Sequence, residues 1–244
     1  MFQAEKEIEN IVEWTREWFA ANGPTAKAVI GISGGKDSSV CAALLVRALG
    51  AERVQGVLMP DGEQPDIPDS RKLVEHLKLN ALTINIGDTT AALKKTLSEQ
   101  LTLTEDTRIN IPPRIRMTTL YAVAQCMPGG GRVCNTCNLS EDYIGYSTKY
   151  GDAAGDFSLL SDLTVGEVLQ IGEALGLPRE LVHKTPSDGL SGKSDEDKIG
   201  FTYAVLDRYI REGICEDEEI KKKIDRMHLI NLHKLQLMPA YRRG

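Results

Sequence analysis

The chain has 244 residues, is 41% hydrophobic and 26% charged, and carries a formal net charge of −6 with a pI of 5.4; at this length a folded chain buries roughly 70–75% of its surface and needs no covalent staples. Its apolar runs fall far short of the ~20 residues that span a bilayer, the start MFQAEKEIEN lacks a basic-then-apolar leader, and no basic face advertises nucleic acid. Cys41, Cys126, Cys134, Cys137 and Cys215, an odd set with no export signal, read as reduced thiols of a cytoplasmic protein. Phe2, Ile8, Ile11, Val12, Trp18 and Phe19 recur at helical spacing over 2–20, and Asn22-Gly23-Pro24 stops that helix. Lys27–Ile32 predicts a strand, Ser33–Asp37 a glycine loop, and Ser38–Leu49 an apolar helix ended by Gly50. Arg53–Met59 predicts a second strand, 69–78 a helix and Ala81–Ile86 a third strand. This alternation signals right-handed crossovers, a parallel sheet and an α/β fold. Beyond it, Pro112–Cys126 predicts a helix, Arg132–Asn135 a short strand, and Thr164–Leu175 a helix stopped by Gly176-Leu177-Pro178. Pro186–Asp195 has loop composition, and helices are expected at 196–211 and 217–233. No repeat or linker divides the chain, so 1–244 reads as a single domain with helical N- and C-terminal extensions.

The strongest chemical signal is Gly31-Ile32-Ser33-Gly34-Gly35-Lys36-Asp37-Ser38-Ser39, placed between the first strand and its helix. In a parallel sheet that turn faces the ligand crevice. Adjacent glycines permit positive φ and leave no Cβ in the way of a phosphate. Amides of the loop and of the helix start can then converge on an anion. Ser33, Ser38 and Ser39 add hydroxyl donors, and Asp37 offers an oxygen suited to Mg²⁺. A plain glycine turn capped by Ser38 is the bland alternative. The loop is neither a Walker A motif, since Ile30 and Asp37 stand at defining positions, nor G-x-G-x-x-G.

SGGKDS after a first strand resembles the SGGxDS signature of the PP-loop ATP pyrophosphatases, which cleave ATP to AMP and pyrophosphate while activating a substrate. Leu58-Met59-Pro60, Asn110–Met117 (NIPPRIRM), Glu141–Asp156 (EDYIGYSTKYGDAAGD) and His233-Lys234 followed by Pro239 narrow the resemblance to the NAD synthetase family, in order and spacing from about residue 5 to 240. The resemblance implies a doubly wound, Rossmann-like sheet of the adenine nucleotide alpha hydrolase type. It implies that Gly31, Ile32, Ser33, Gly34, Gly35, Lys36, Asp37, Ser38, Ser39 and Thr136 bind ATP, as does Ser187 in a loop that closes over the site. Asp37 and Glu141 would bind Mg²⁺ and serve catalysis, while Arg114, Lys149, Asp156, His233 and Lys234 would bind deamido-NAD⁺. Where the family commonly has an ATP-contacting lysine, this chain has Val165; positive charge from Lys36 is one way to compensate.

Read without the family, several of these residues stay open. Glu141 could be a helix-face carboxylate, and Lys149 and Asp156 could flank a plain turn. His233 could be a surface histidine near a helix end. Arg114 and Arg116 point opposite ways on a helix, so at most one faces the crevice easily. Cys134 and Cys137 lack the second ligand pair a zinc site needs and read better as small buried thiols.

The implied reaction is the last step of NAD biosynthesis. The nicotinate carboxylate attacks the α-phosphate of ATP, giving an adenylate and pyrophosphate; ammonia then displaces AMP and leaves NAD⁺. Asp156 or Asp188 could assist deprotonation of the ammonia. Only one helix precedes the phosphate loop, so no glutaminase domain is expected and free ammonia is the expected nitrogen donor, unless a separate glutaminase subunit delivers it. The family also implies a homodimer, and the apolar stripe of the first helix suits either an isologous contact or the core. A tRNA-modifying PP-loop ligase is the alternative, disfavoured by the acidic pI; a nucleotide sensor without catalysis is a further one, disfavoured by the presence of both Asp37 and Glu141.

Overall fold

The short apolar runs of the first half become strands of one parallel sheet. In the computed structural model, which describes residues 2–64, 67–184 and 195–243, the chain starts with α1 (Ala4–Asn22), β1 (Lys27–Gly31), α2 (Lys36–Leu49) and β2 (Val54–Leu58). Then follow α3 (Ile67–Leu77), β3 (Asn80–Thr83), α4 (Gly87–Ser98), α5 (Glu105–Cys126), β4 (Gly131–Asn135), α6 (Leu139–Ile144) and β5 (Phe157–Ser158). The rest is helical: α7 (Val165–Ala174), α8 (Arg179–Val182), α9 (Asp195–Ile199), α10 (Tyr203–Glu212) and α11 (Glu218–Asn231). The strands lie in the order β3-β2-β1-β4-β5, and every pairing is parallel. The order reverses at β1, so the crevice between the carboxyl ends of β1 and β4 is the topological switch point where such sheets bind ligands.

Alternation along the strands sorts the core into two layers. Ala28, Ile30 and Cys134 pack with α1, α2 and α7, whereas Val29, Val57 and Val133 pack with Met117, Leu120 and Val123 of α5. The α1 stripe belongs to the first layer: Ile8, Ile11, Val12 and Phe19 are buried within the chain, so that face is core. A third cluster, built on Ile144, Val165, Tyr203, Leu206 and Ile224, anchors the C-terminal helices beside the crevice. None of the described helices is long and apolar enough to cross a membrane.

The departures from expectation have local causes. The glycine loop is shorter than expected, because α2 begins at Lys36 rather than Ser38. Helix α4 and strand β5 have no counterpart among the expected elements; β5 is only Phe157–Ser158, paired to Cys134 and Asn135. Helix α5 begins at Glu105, ahead of Pro112 and Pro113, with Thr104 capping the Thr107 amide at 3.2 Å. The carbonyls those prolines leave unpaired, on Arg108 and Ile109, belong to exposed residues that water can reach. The single helix expected over 196–211 is two, because Gly200 takes a φ of 79° and Thr202 caps a new start.

Candidate active site

Gly34 carries the turn of the glycine loop. Its φ is 78°, and a Cβ there would sit 2.7 Å from the Ser70 amide nitrogen at the start of α3. Gly35 is the extended N-cap of α2 and offers no side chain to its first amides. That free helix start beside β1 is suited to an anion. The Ser33 and Ser38 hydroxyls lie 2.9 Å apart, and Ser38 Oγ also accepts the Ser33 amide at 3.3 Å. Ser39 turns inward and donates to the Gly35 carbonyl at 2.7 Å, so it braces the loop rather than lining the crevice.

A cavity of about 350 Å³ opens at the switch point. Its floor is Gly31, Ile32, Ser33 and Ser38; Met59, Met117 and Leu120 form an apolar wall, and Asn135, Thr136, Arg116 and Asp152 face them with polar groups. An apolar slot with a few convergent donors beside an anion-binding helix start suits a nucleotide. Arg116 is held there by donating from Nε to the Met59 carbonyl at 3.1 Å.

Beside the loop, two carboxylates meet around one ammonium. Lys36 Nζ lies 2.8 Å from Asp37 Oδ2 and 3.5 Å from Glu141 Oε1. Asn138, fully buried at the N-cap of α6, couples them: its side chain donates to Asp37 Oδ1 at 2.9 Å and accepts the Glu141 amide at 3.0 Å. Burial, then repulsion from Asp37, pushes the Glu141 carboxyl above the usual carboxylate range, and Lys36 acts against both. Burial pulls the Lys36 ammonium down, but Asp37 and then Glu141 outweigh it, so its proton is held more tightly than usual. Tyr203 sets its ring 5.9 Å from the same ammonium, and its buried hydroxyl makes no hydrogen bond among the described residues.

Four of the five expected substrate residues gather around a second segment, 147–149. The Asp152 carboxylate accepts the Thr148 amide at 2.9 Å and closes the turn between them. Arg114 Nε donates to the Lys149 carbonyl at 3.2 Å, Lys149 Nζ lies 3.2 Å from His233 Nδ1, and Lys234 Nζ donates to the Ser147 carbonyl at 2.8 Å. Arg114, Lys149, His233 and Lys234 therefore converge on 147–149. Asp156 is elsewhere, its carboxylate taken by the Val133 amide at 2.7 Å and the Tyr121 hydroxyl at 3.2 Å. Ser187 and Asp188 lie outside the described residues. Of the two arginines it is Arg116, not Arg114, that lines the cavity. Asn138, Asp152 and Tyr203 had no signal of their own; a capping asparagine three residues before Glu141 is the one sequence hint.

A model of the NAD synthase family matches residues 7–244. The NH(3)-dependent NAD(+) synthetase of Archaeoglobus fulgidus is 37% identical over 245 residues, covering 98% of this chain and 97% of the relative. The chain belongs to the NAD synthase family. It is a ligase of NAD biosynthesis working by ammonia-dependent amidation, in a family that uses ATP. Among solved structures, NMN synthetase from Francisella tularensis superposes with a TM-score of 0.91 at 29% identity, covering 100% of both chains. The NH3-dependent NAD synthetase of Campylobacter jejuni gives 0.79 at 23% identity, covering 99% of this chain and 100% of the other, and shares the fold.

Proposed function

We infer that the switch-point cavity binds ATP with its phosphates over Gly34–Ser38, and that the chain adenylates and then amidates the nicotinate carboxylate of deamido-NAD⁺. The observation that carries this reading is the meeting of Asp37 and Glu141 beside the open start of α2. Among the described residues no group of three or more His, Cys, Asp or Glu side chains could hold a metal. Mg²⁺ is ordinarily bound through one or two carboxylates together with substrate phosphates, so Asp37 and Glu141 fit Mg²⁺ arriving with nucleotide. Bound there, it would offset negative charge on the phosphates.

The chain's own residues supply position and charge. The apolar wall of Met59, Met117 and Leu120 seats the nucleoside, Thr136 and Asn135 border it, and the α2 amides with Ser33 and Ser38 face the phosphates. Arg114, Lys149 and Lys234, with His233 beside Lys149, offer positive charge and donors to the second anionic substrate. The carboxylate attacks the α-phosphate as pyrophosphate leaves; ammonia then adds to the activated carbonyl, loses a proton and expels AMP. No protein nucleophile is used, and Cys41, Cys134 and Cys137 stay buried thiols. We place this reaction in the cytoplasm, carried by the 244 residues as one catalytic unit. The α1 face is core, so the surface proposed for a homodimer is drawn from the β3–α5 stretch, where Leu82, Leu93, Leu101 and Ile109 are exposed.

A second reading keeps the chemistry and shortens the substrate to nicotinate mononucleotide. It is favoured by the full-length match to the Francisella tularensis protein, an NMN synthetase by name. Purified protein mixed with Mg-ATP, an ammonium salt and either substrate separates the two. NAD⁺ and AMP formed one for one from deamido-NAD⁺ is the expected result, and faster NMN formation from the mononucleotide gives the second reading precedence. Glutamine in place of ammonium is expected to give no product. Failure with both substrates and ammonium defeats both readings.

A further inference from the structure

Two carboxylates brought together in a mostly buried site repel, and both stay ionised only with a cation between them. Here the cation is part of the chain. Lys36 is the first residue of α2, its side chain is 4% exposed, and its ammonium stands between Asp37 Oδ2 and Glu141 Oε1. Tyr203 flanks it, and Asn138 fixes both carboxylate-bearing segments from the other side. A lysine ordinarily keeps its ammonium in water while its stem covers apolar surface. Burying the head costs desolvation and rotamer freedom, which the acidic pair offsets.

We propose that Lys36 is the resident cation of the Asp37–Glu141 pair: it holds the pair before nucleotide arrives, keeps a free divalent ion out, and gives way only when the metal comes with phosphates. A free metal taking the space between the carboxylates would leave a buried ammonium unpaired beside a dication, which is strongly unfavourable. Phosphates over Gly34–Ser38 change that balance, because Lys36 belongs to the same loop and its flexible stem can exchange the carboxylates for a phosphate. Metal and nucleotide then bind with positive coupling, each strengthening the other by the same factor.

The inference rests on Asp37 and Glu141 being the metal pair, and its test involves no amidation. Free Mn²⁺ is counted by electron paramagnetic resonance in the full chain, with and without a non-hydrolysable ATP analogue. Without nucleotide, folded Lys36→Met is expected to bind Mn²⁺ about tenfold or more tighter than the wild type, and a second change, Asp37→Asn, is expected to erase that gain. Equal affinity of wild type and folded Lys36→Met overturns the proposal, as does a gain that survives Asp37→Asn. Wild-type protein binding Mn²⁺ as tightly without the analogue as with it overturns the proposal too, and this arm needs no variant to fold. Amidation by the wild type is read separately, so either idea can fail alone.

Discussion

The phosphate loop and the cluster around 147–149 are built in opposite ways. The phosphate side is one contiguous run, Gly31–Ser39, whose hydroxyls and single carboxylate, Asp37, are held by short bonds within the run or to Asn138. The expected substrate residues Arg114, Lys149, His233 and Lys234 come from three separate stretches onto 147–149, two of them exposed, through two bonds to backbone carbonyls and one side-chain contact. A contiguous loop carries its geometry in its own residue types, because glycine, serine and aspartate each have a local conformational reason for their place. A cluster assembled from distant segments gets its geometry from topology, so substitutions there are expected to change affinity more than turnover.

That contrast is broken most sharply at Asp37. Asp37→Asn keeps an acceptor for Asn138 and removes half of the acidic pair, so we expect a folded protein with turnover down by on the order of 10²–10³-fold. Circular dichroism and product formation at saturating substrates check this, and retained turnover removes Asp37 from the machinery. The next largest effect contrasts two neighbours on α5. Arg116 lines the cavity and Arg114 does not, so Arg116→Ala is expected to raise the KM for ATP by about tenfold, on the order of 1.4 kcal/mol. Arg114→Ala is expected to leave the KM for ATP alone and raise that for the dinucleotide. Initial rates with each substrate varied in turn separate them, and the reverse pattern would exchange their roles.

How much was legible follows the same division. Strands β1, β2 and β4 and the loop between β1 and α2 were readable because β-branched runs and a double glycine are local signals. The start of α5 was not, since Pro112 and Pro113 read as breakers until the exposed carbonyls before them are seen. Helix periodicity alone left Arg114 and Arg116 open, and the packing of α5 on β1 and β4 selected between them for the cavity. For Asp156 the residues alone suggested a turn and the resemblance a ligand; in the fold its carboxylate ties the Val133 amide to Tyr121. Lys36 lay inside a motif, yet its burial between two acids depended on α6 starting just after β4, the strand paired with β1.

The smallest effect sharpens the comparison between the two regions. Asp142 follows Glu141 on α6, and burial, then repulsion from Asp152, raises its carboxyl to about 6. A carboxyl whose folded value lies above its ordinary 3.8 binds its proton more tightly when folded, so ionisation opposes folding. Its contribution is fully favourable below about pH 4 and is lost as pH rises through about 6. Asp142→Asn removes that loss. The variant is therefore expected to exceed the wild type in stability by about 1–2 kcal/mol at pH 7.5, after allowance for partial exposure, and to match it near pH 4. Urea unfolding at the two pH values measures the gap. A gap that persists at pH 4 assigns the gain to packing or to a new hydrogen bond, and an equal or less stable variant at pH 7.5 shows that water reaches Asp142 well enough to keep both carboxylates charged.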